Sequence, residues 1–296
     1  MANGRLLGLL GAAILASACE SFPAGAKSGH EPPRAQVVEV NGTKLSARVY
    51  GSGAHPIVFL QGAQLPCEMW EEQAQAFARE HLVVLYDVRG FGKSGPTGEP
   101  FAHENDLRAL LDALAIDRAT LVGLSLGGRI AVEFAIEHPE RVEALVLVGA
   151  GLTGFPYEEP DPPWRQRIHA ALEAKDGRRA AEAWLGSPYM EPAMADPQVA
   201  PRVRELALAN AGAWLQPDSE VPPDPPAIRR LADVRCPTLV VVGSRDVPKI
   251  LAIADRLERE IPGAHKSVMT GCGHVPNLER PAEFDKIVRG FLAGVR

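Results

Sequence analysis

Three residues in this chain have the types and surroundings needed for nucleophilic chemistry at a carbonyl: Ser125, Asp246 and His274. A serine hydroxyl is a poor nucleophile at neutral pH. It needs an imidazole to take its proton and a carboxylate to orient that imidazole. Ser125 lies in Gly123-Leu-Ser125-Leu-Gly127, between the apolar run 119–123 and a helical pattern that starts at Gly128. A serine in that setting sits on a tight strand-to-helix turn, and the flanking glycines let the backbone fold sharply enough to expose its hydroxyl. Asp246 follows the apolar run 238–243 through Ser244-Arg245, and His274 follows the run 265–269 within Thr270-Gly-Cys-Gly-His-Val-Pro276. Each residue alone also fits an ordinary reading. Ser125 fits a glycine-rich turn, Asp246 a helix cap before Pro248, and His274 is one of eight scattered histidines. Together they form the order serine, aspartate, histidine at three strand ends, which is the order of a triad carried on a parallel sheet.

The elements that must position these groups are legible as apolar runs and helical periodicity. Val37–Val40 and Lys44–Tyr50 flank Asn41-Gly42, a hairpin signal because both turn residues tolerate positive φ. Buried strands are predicted over 56–60, 82–87, 119–123, 142–149, 238–243 and 265–269, with helices over 68–80, 104–114, 126–137, 248–261 and 281–293. Apolar strands alternating with helices indicate an α/β fold with a mostly parallel central sheet, covered by helices on both faces. The alternation breaks over residues 152–235, where 13 of the 26 prolines and three of the four tryptophans fall. This interval reads as an inserted helical cap, with helices over 165–185 and 202–215 and an extended return through Pro222–Pro226. Trp164, Trp184, Trp214, Tyr157 and Tyr189 are candidates to line an apolar substrate pocket. The competing reading, that they form the cap's own small core, is expected for roughly two thirds of them. The main α/β domain then comprises 36–151 and 236–296.

Residues 1–18 are of another kind. Arg5 gives a short positive start, and Leu6 to Ala18 form an apolar stretch ending in small residues, as in an export signal. Thirteen residues fall short of the ~20 that a membrane span needs. Ala16-Ser-Ala18 fits ordinary secretion, whereas Leu15-Ala-Ser-Ala-Cys19 resembles a bacterial lipoprotein box with Cys19 carrying the lipid. The second route is favoured, and with Glu20 rather than aspartate next to the cysteine it points to periplasmic or outer-membrane attachment. Residues 19–35 have the composition of a flexible tether. Cys67 and Cys272 both fall near the predicted catalytic edge, where a disulfide is conceivable, although buried free thiols are the expected state. No zinc-binding spacing is present. A net charge of −6 gives no basic footprint for nucleic acid, and 46% hydrophobic residues over 296 positions suit one large domain with an insertion. Gly92-Lys93-Ser94 ends like a phosphate loop, but Asp87 stands where the leading glycine belongs, so it reads as a structural turn.

Four stretches resemble the α/β-hydrolase family from about Val37 to the C-terminus. They are Val58-Phe-Leu-Gln-Gly62 with Trp70; Asp87-Val-Arg-Gly-Phe-Gly-Lys-Ser94; Gly123-Leu-Ser-Leu-Gly-Gly128 with His138-Pro-Glu-Arg-Val142; and Gly273-His-Val-Pro-Asn-Leu-Glu-Arg-Pro281. Within the family the chain is most similar to cofactor-free serine hydrolases of the enol-lactonase and haloperoxidase-like group. The resemblance implies a serine hydrolase of small esters or lactones that needs no metal or organic cofactor. It also implies an oxyanion hole made by the backbone N–H groups of Leu126 and Ala63. Gln61 stands where many relatives have histidine and can still hydrogen-bond and brace that loop; Gln61 and Trp70 are also candidate substrate contacts. A C–C bond hydrolase working through the same triad, and a binding lipoprotein without turnover, are the competing functions.

Overall fold

Asn41 and Gly42 adopt φ of 44° and 75°, reversing the chain between β1 (Arg34–Val40) and β2 (Thr43–Tyr50), which pair antiparallel. The computed structural model describes residues 32–156 and 162–295. The export-signal reading of residues 1–18, Cys19 with the start of the tether, and Tyr157 lie outside the described residues. β1 starts at Arg34, two residues ahead of the expected domain boundary, because its backbone continues to pair with β2 as far as Val49.

The chain continues through β3 (Ile57–Leu60), a 3-10 turn at Cys67–Trp70, α1 (Glu71–Phe77), β4 (Val83–Tyr86), α2 (His103–Ala113), β5 (Ala119–Leu124), α3 (Leu126–Glu137) and β6 (Val142–Val148). Among the described residues, four helices then precede the return to the sheet: α4 (Pro163–Glu173), α5 (Gly177–Leu185), α6 (Glu191–Ala195) and α7 (Ala200–Ala209). The sheet resumes with β7 (Thr238–Gly243), followed by α8 (Pro248–Glu260), β8 (His265–Met269), α9 (Pro276–Glu279) and α10 (Pro281–Val295). The strands form one sheet in the order β1-β2-β4-β3-β5-β6-β7-β8. β2 runs antiparallel to β4, and every pairing from β4 to β8 is parallel.

Successive side chains of a strand point to opposite faces, and here the two faces feed two cores. Val58, Leu121, Leu145 and Val240 pack with α2, α3 and α8, whereas Phe59, Val122, Val146 and Val241 pack with α1 and α10. Central strands buried on both faces need the continuous apolar runs that the sequence displays. The expected single helix over 165–185 is two helices. Lys175 takes φ of 54°, and the Asp176 carboxylate accepts the Arg179 amide at 2.9 Å, ending one helix and starting the next. The segment expected as a helix over 202–215 is α7 followed by a 3-10 turn at Ala211–Leu215. Among the described residues, no helix is long and apolar enough to cross a membrane.

Candidate functional site

Ser125 closes β5 and caps α3 with φ of 51°, a left-handed conformation that costs a residue with a Cβ about 1–3 kcal/mol. The surrounding backbone enforces it. Ser125 N–H donates to Val148 O at 2.9 Å, and its carbonyl accepts from Gly151 N–H at 2.9 Å and Arg129 N–H at 3.0 Å. The turn also explains the motif's glycines. A Cβ on Gly123 would lie 2.3 Å from the Gly127 carbonyl oxygen, and one on Gly127 would lie 2.3 Å from the Leu60 carbonyl oxygen.

Asp246 and His274 reach the same edge of the sheet from the ends of β7 and β8. Their loops are fastened together: Ser244 N–H donates to Met269 O at 3.0 Å, Arg245 N–H to Cys272 O at 2.8 Å, and Gly271 N–H to Ser244 Oγ at 2.8 Å. His274 Nδ1 lies 2.9 Å from Asp246 Oδ2, with both residues buried. The other carboxylate oxygen accepts the Val247 amide at 2.7 Å, which fixes the plane of the group. Glu279 grips the backbone on either side of the imidazole, accepting Gly273 N–H at 2.8 Å and Val275 N–H at 3.2 Å. Partial burial pushes the Glu279 carboxyl up, while those two amides pull it down. Tyr189 meets the imidazole edge to face, with ring centroids 5.1 Å apart.

Ser125 and His274 border one cavity of about 720 Å³, which also takes in Ala63 and Leu126. Leu126 is the first residue of α3, where an amide has no carbonyl one turn back to bond with. Trp164, Trp184, Trp214 and Tyr189 all border the cavity, and the three tryptophans also pack on Ile168, Ala171 and Ala180. Wall and cap core are therefore the same side chains. An imidazole braced by a carboxylate, bordering one cavity with a serine on a strained turn, is the chemistry that could deprotonate the hydroxyl, and amides at the head of a helix favour developing negative charge.

A family model described as "Alpha/beta hydrolase family" matches residues 57–287. The chain belongs to the alpha/beta hydrolase family. It is 31% identical over 276 residues to a 2-hydroxy-6-oxononadienedioate/2-hydroxy-6-oxononatrienedioate hydrolase of Burkholderia vietnamiensis, covering 86% of this chain and 93% of the relative. Among solved structures it is similar to the enol-lactonase from Burkholderia xenovorans, with a TM-score of 0.70, 26% identity, and coverage of 87% of this chain and 100% of that one. It is also similar to a hydrolase from Pseudomonas aeruginosa, with a TM-score of 0.71, 29% identity, and coverage of 87% and 98%.

In this alpha/beta hydrolase two sequence candidates lie away from the cavity wall. Trp70 is fully buried in the core. Its Nε1 donates to Leu60 O at 3.1 Å, and its ring packs between Phe59 and Phe284 at 5.1 and 5.7 Å. A large apolar ring with one polar atom finds a better home there than at an open surface. Gln61 is also fully buried and braces the loop from beneath: its Oε1 accepts Val88 N–H at 3.3 Å and its carbonyl accepts Gly127 N–H at 3.0 Å. Cys67, Cys236 and Cys272 are buried free thiols. Donor atoms of Cys67, Glu68 and Asp87 converge within 4.8 Å, in the manner of a cation site. A protein cation already stands there, since Arg48 Nη2 lies 3.0 Å from Glu68 and 3.3 Å from Cys67 Sγ. The Asp87 carboxylate is spent on the amides of Cys67 and Lys93, at 2.8 and 2.9 Å, which makes Gly92-Lys93-Ser94 part of a braced turn.

Sequence reasoning missed Glu279 and Arg129. Glu279 is recognisable only once the Gly273–Val275 loop is seen folded over it. Arg129 stands one helical turn after Ser125, and that spacing is the signal that could have placed it on the cavity wall.

Proposed function

We propose that this chain hydrolyses carboxylic esters or lactones of small, apolar acids through an acyl-enzyme on Ser125. His274 takes the hydroxyl proton as Ser125 Oγ attacks the carbonyl carbon, and Asp246 holds the imidazole tautomer and stabilises the imidazolium. The amides of Leu126 and Ala63 receive the oxyanion, a contribution of ~3 kcal/mol per donor in comparable sites. The imidazolium returns its proton to the leaving alcohol, and His274 then activates water to release the acid. These steps need only side chains and backbone amides.

One observation carries the reading: a serine on a strained strand-to-helix turn shares a single apolar cavity with an imidazole already bonded to a buried carboxylate. The 31% identical relative supports a second reading, since its name describes hydrolysis of an oxo-dienedioate. Cleavage of a C–C bond next to a ketone would use the same three residues. The sequence of residues 5–19 further supports export and lipid attachment at Cys19, which palmitate labelling lost in Cys19→Ala would establish.

The functional test is treatment of the full chain with a fluorophosphonate, followed by intact mass measurement of wild type and Ser125→Ala. One adduct per chain, lost in the variant, is the expected result. A folded but unlabelled wild type would favour a binding lipoprotein. Turnover of diketones in preference to esters and lactones would favour the C–C reading.

A further inference from the structure

Arg129 belongs to the wall of the Ser125 cavity, and two carboxylates hold its guanidinium. Its Nη1 and Nη2 bond Glu220 Oε1 and Oε2 at 2.8 and 2.7 Å, a two-pronged pairing, and Nη1 also reaches Glu133 Oε2 at 3.1 Å. Glu133 comes from the same helix one turn on, so that pair is local. Glu220 comes from 91 residues away, on the segment that leads from the cap back to the sheet. That segment is fastened beside α2 by Phe101 N–H to Ser219 O at 3.2 Å and Val221 N–H to Phe101 O at 2.7 Å.

Glu220 approaches from a second, smaller cavity of about 150 Å³, and Leu126 belongs to the walls of both cavities. Arg129 therefore joins a residue of the larger cavity's wall to a carboxylate from the small one. Burial alone would raise the Glu220 carboxyl, but the hydrogen bonds and charge of Arg129 outweigh it and hold the group below its ordinary range. His103 lies 3.9 Å from the same carboxylate, and burial keeps that imidazole neutral by pushing it down to about 4. The two-pronged pair of Arg129 and Glu220 is therefore ionic, while burial pushes the neighbouring Glu133 carboxyl up. A ligand carboxylate in place of Glu220 would leave the charge count unchanged.

We propose that Glu220 is a built-in substitute for a substrate carboxylate: it fills the two-pronged site on Arg129 and so restricts the cavity to acyl groups without an acid. This specificity role rests on the hydrolase reading above. It matters because a hydrolase for dicarboxylates stands among the relatives, and the arginine on this wall is already committed to an internal acid.

The test is a calorimetric titration of the full chain with hexanoate and with hexanamide, in wild type, Glu220→Ala, Glu220→Gln and the double variant Glu220→Ala with Arg129→Gln. Hexanoate affinity should rise about tenfold or more in Glu220→Ala, the scale of a charge-assisted pair, while hexanamide affinity changes by less than about twofold. The gain should vanish in the double variant. In turnover, the ratio of kcat/KM for mono-p-nitrophenyl adipate to that for p-nitrophenyl hexanoate should rise in step. If hexanoate and hexanamide shift by the same factor, or if the gain survives loss of Arg129, Glu220 is only a cap strap and the proposal is overturned. If Glu220→Ala gives no cooperative thermal transition, the near-isosteric Glu220→Gln decides by the same ratio, and an unchanged ratio overturns the proposal. The titration needs no turnover, so a failed fluorophosphonate labelling would count against the serine-hydrolase reading alone.

Discussion

Strand β5 is buried along its whole length, whereas the cap helix α4 buries only Ile168 and Ala171. The first is locked by neighbours on both faces and both edges. The second leans on tryptophans that also face the cavity. Ser125 and Asp246 follow strands of the first kind, β5 and β7, His274 follows the partly exposed edge strand β8, and most of the cavity's aromatic wall belongs to the second. The difference separates two tasks. Ser125 and Asp246 are set by fully buried strands, whereas the cavity's aromatic wall is set largely by partly buried tryptophans of the cap.

The comparison breaks most sharply at the sheet edge. Asp246→Asn keeps the size of the side chain but favours the wrong imidazole tautomer, so kcat for ester hydrolysis should fall by about 10⁴-fold, with little change in melting temperature. Next in size is a matched pair of tryptophans. Trp70→Ala should lower the unfolding free energy by about 3–5 kcal/mol. Trp184→Ala, only partly buried in the cap, should lower it by about 1–2 kcal/mol and show mainly in KM for bulky acyl groups. Urea titrations beside steady-state kinetics read both. Equal stability losses would mean that the cap is as tightly held as the sheet.

His103 tests the seam between the two regions. The unfolded imidazole takes up a proton near 6.5, and the buried one not until about 4. Its contribution to stability is therefore complete above 6.5 and is lost as pH falls through that window, by about 2 kcal/mol between pH 7 and pH 5. His103→Gln should lack that slope in denaturant midpoints. The smallest effect is expected at the turn itself. Ser125→Gly removes the hydroxyl and also the Cβ at φ of 51°, so a protein that no longer takes the fluorophosphonate label should gain about 1 kcal/mol in stability.

The sequence disclosed most where one local rule governs. Runs such as Thr238–Gly243 and the helix at Leu126–Glu137 coincide with the observed elements residue for residue, because burial on both faces and 3.6-residue periodicity leave marks within a short window. Asn41-Gly42 marked its hairpin for the same reason. The cap was less legible, because the break at Lys175 and Asp176 lies in a conformation that neither residue type requires. Trp70 and Gln61 were misplaced because sequence proximity to the loop at Gly62 says nothing of which side of the loop a side chain takes. Arg129 with Glu220 and Gly273 with Glu279 depend on how distant or folded-back backbone meets, which no periodicity encodes.

The strand that delivers His274 is β8, one of the sheet's two edge strands, where Val268 keeps 49% of its surface exposed. Edge strands open at lower free energy than central ones. Fraying of β8 would therefore carry off the imidazole while β5 still presents its serine. Amide exchange along Val268 and Met269 and loss of catalytic rate should then follow the same denaturant dependence, ahead of the global transition. Such a protein would fall silent by opening at one margin and resume without having to refold.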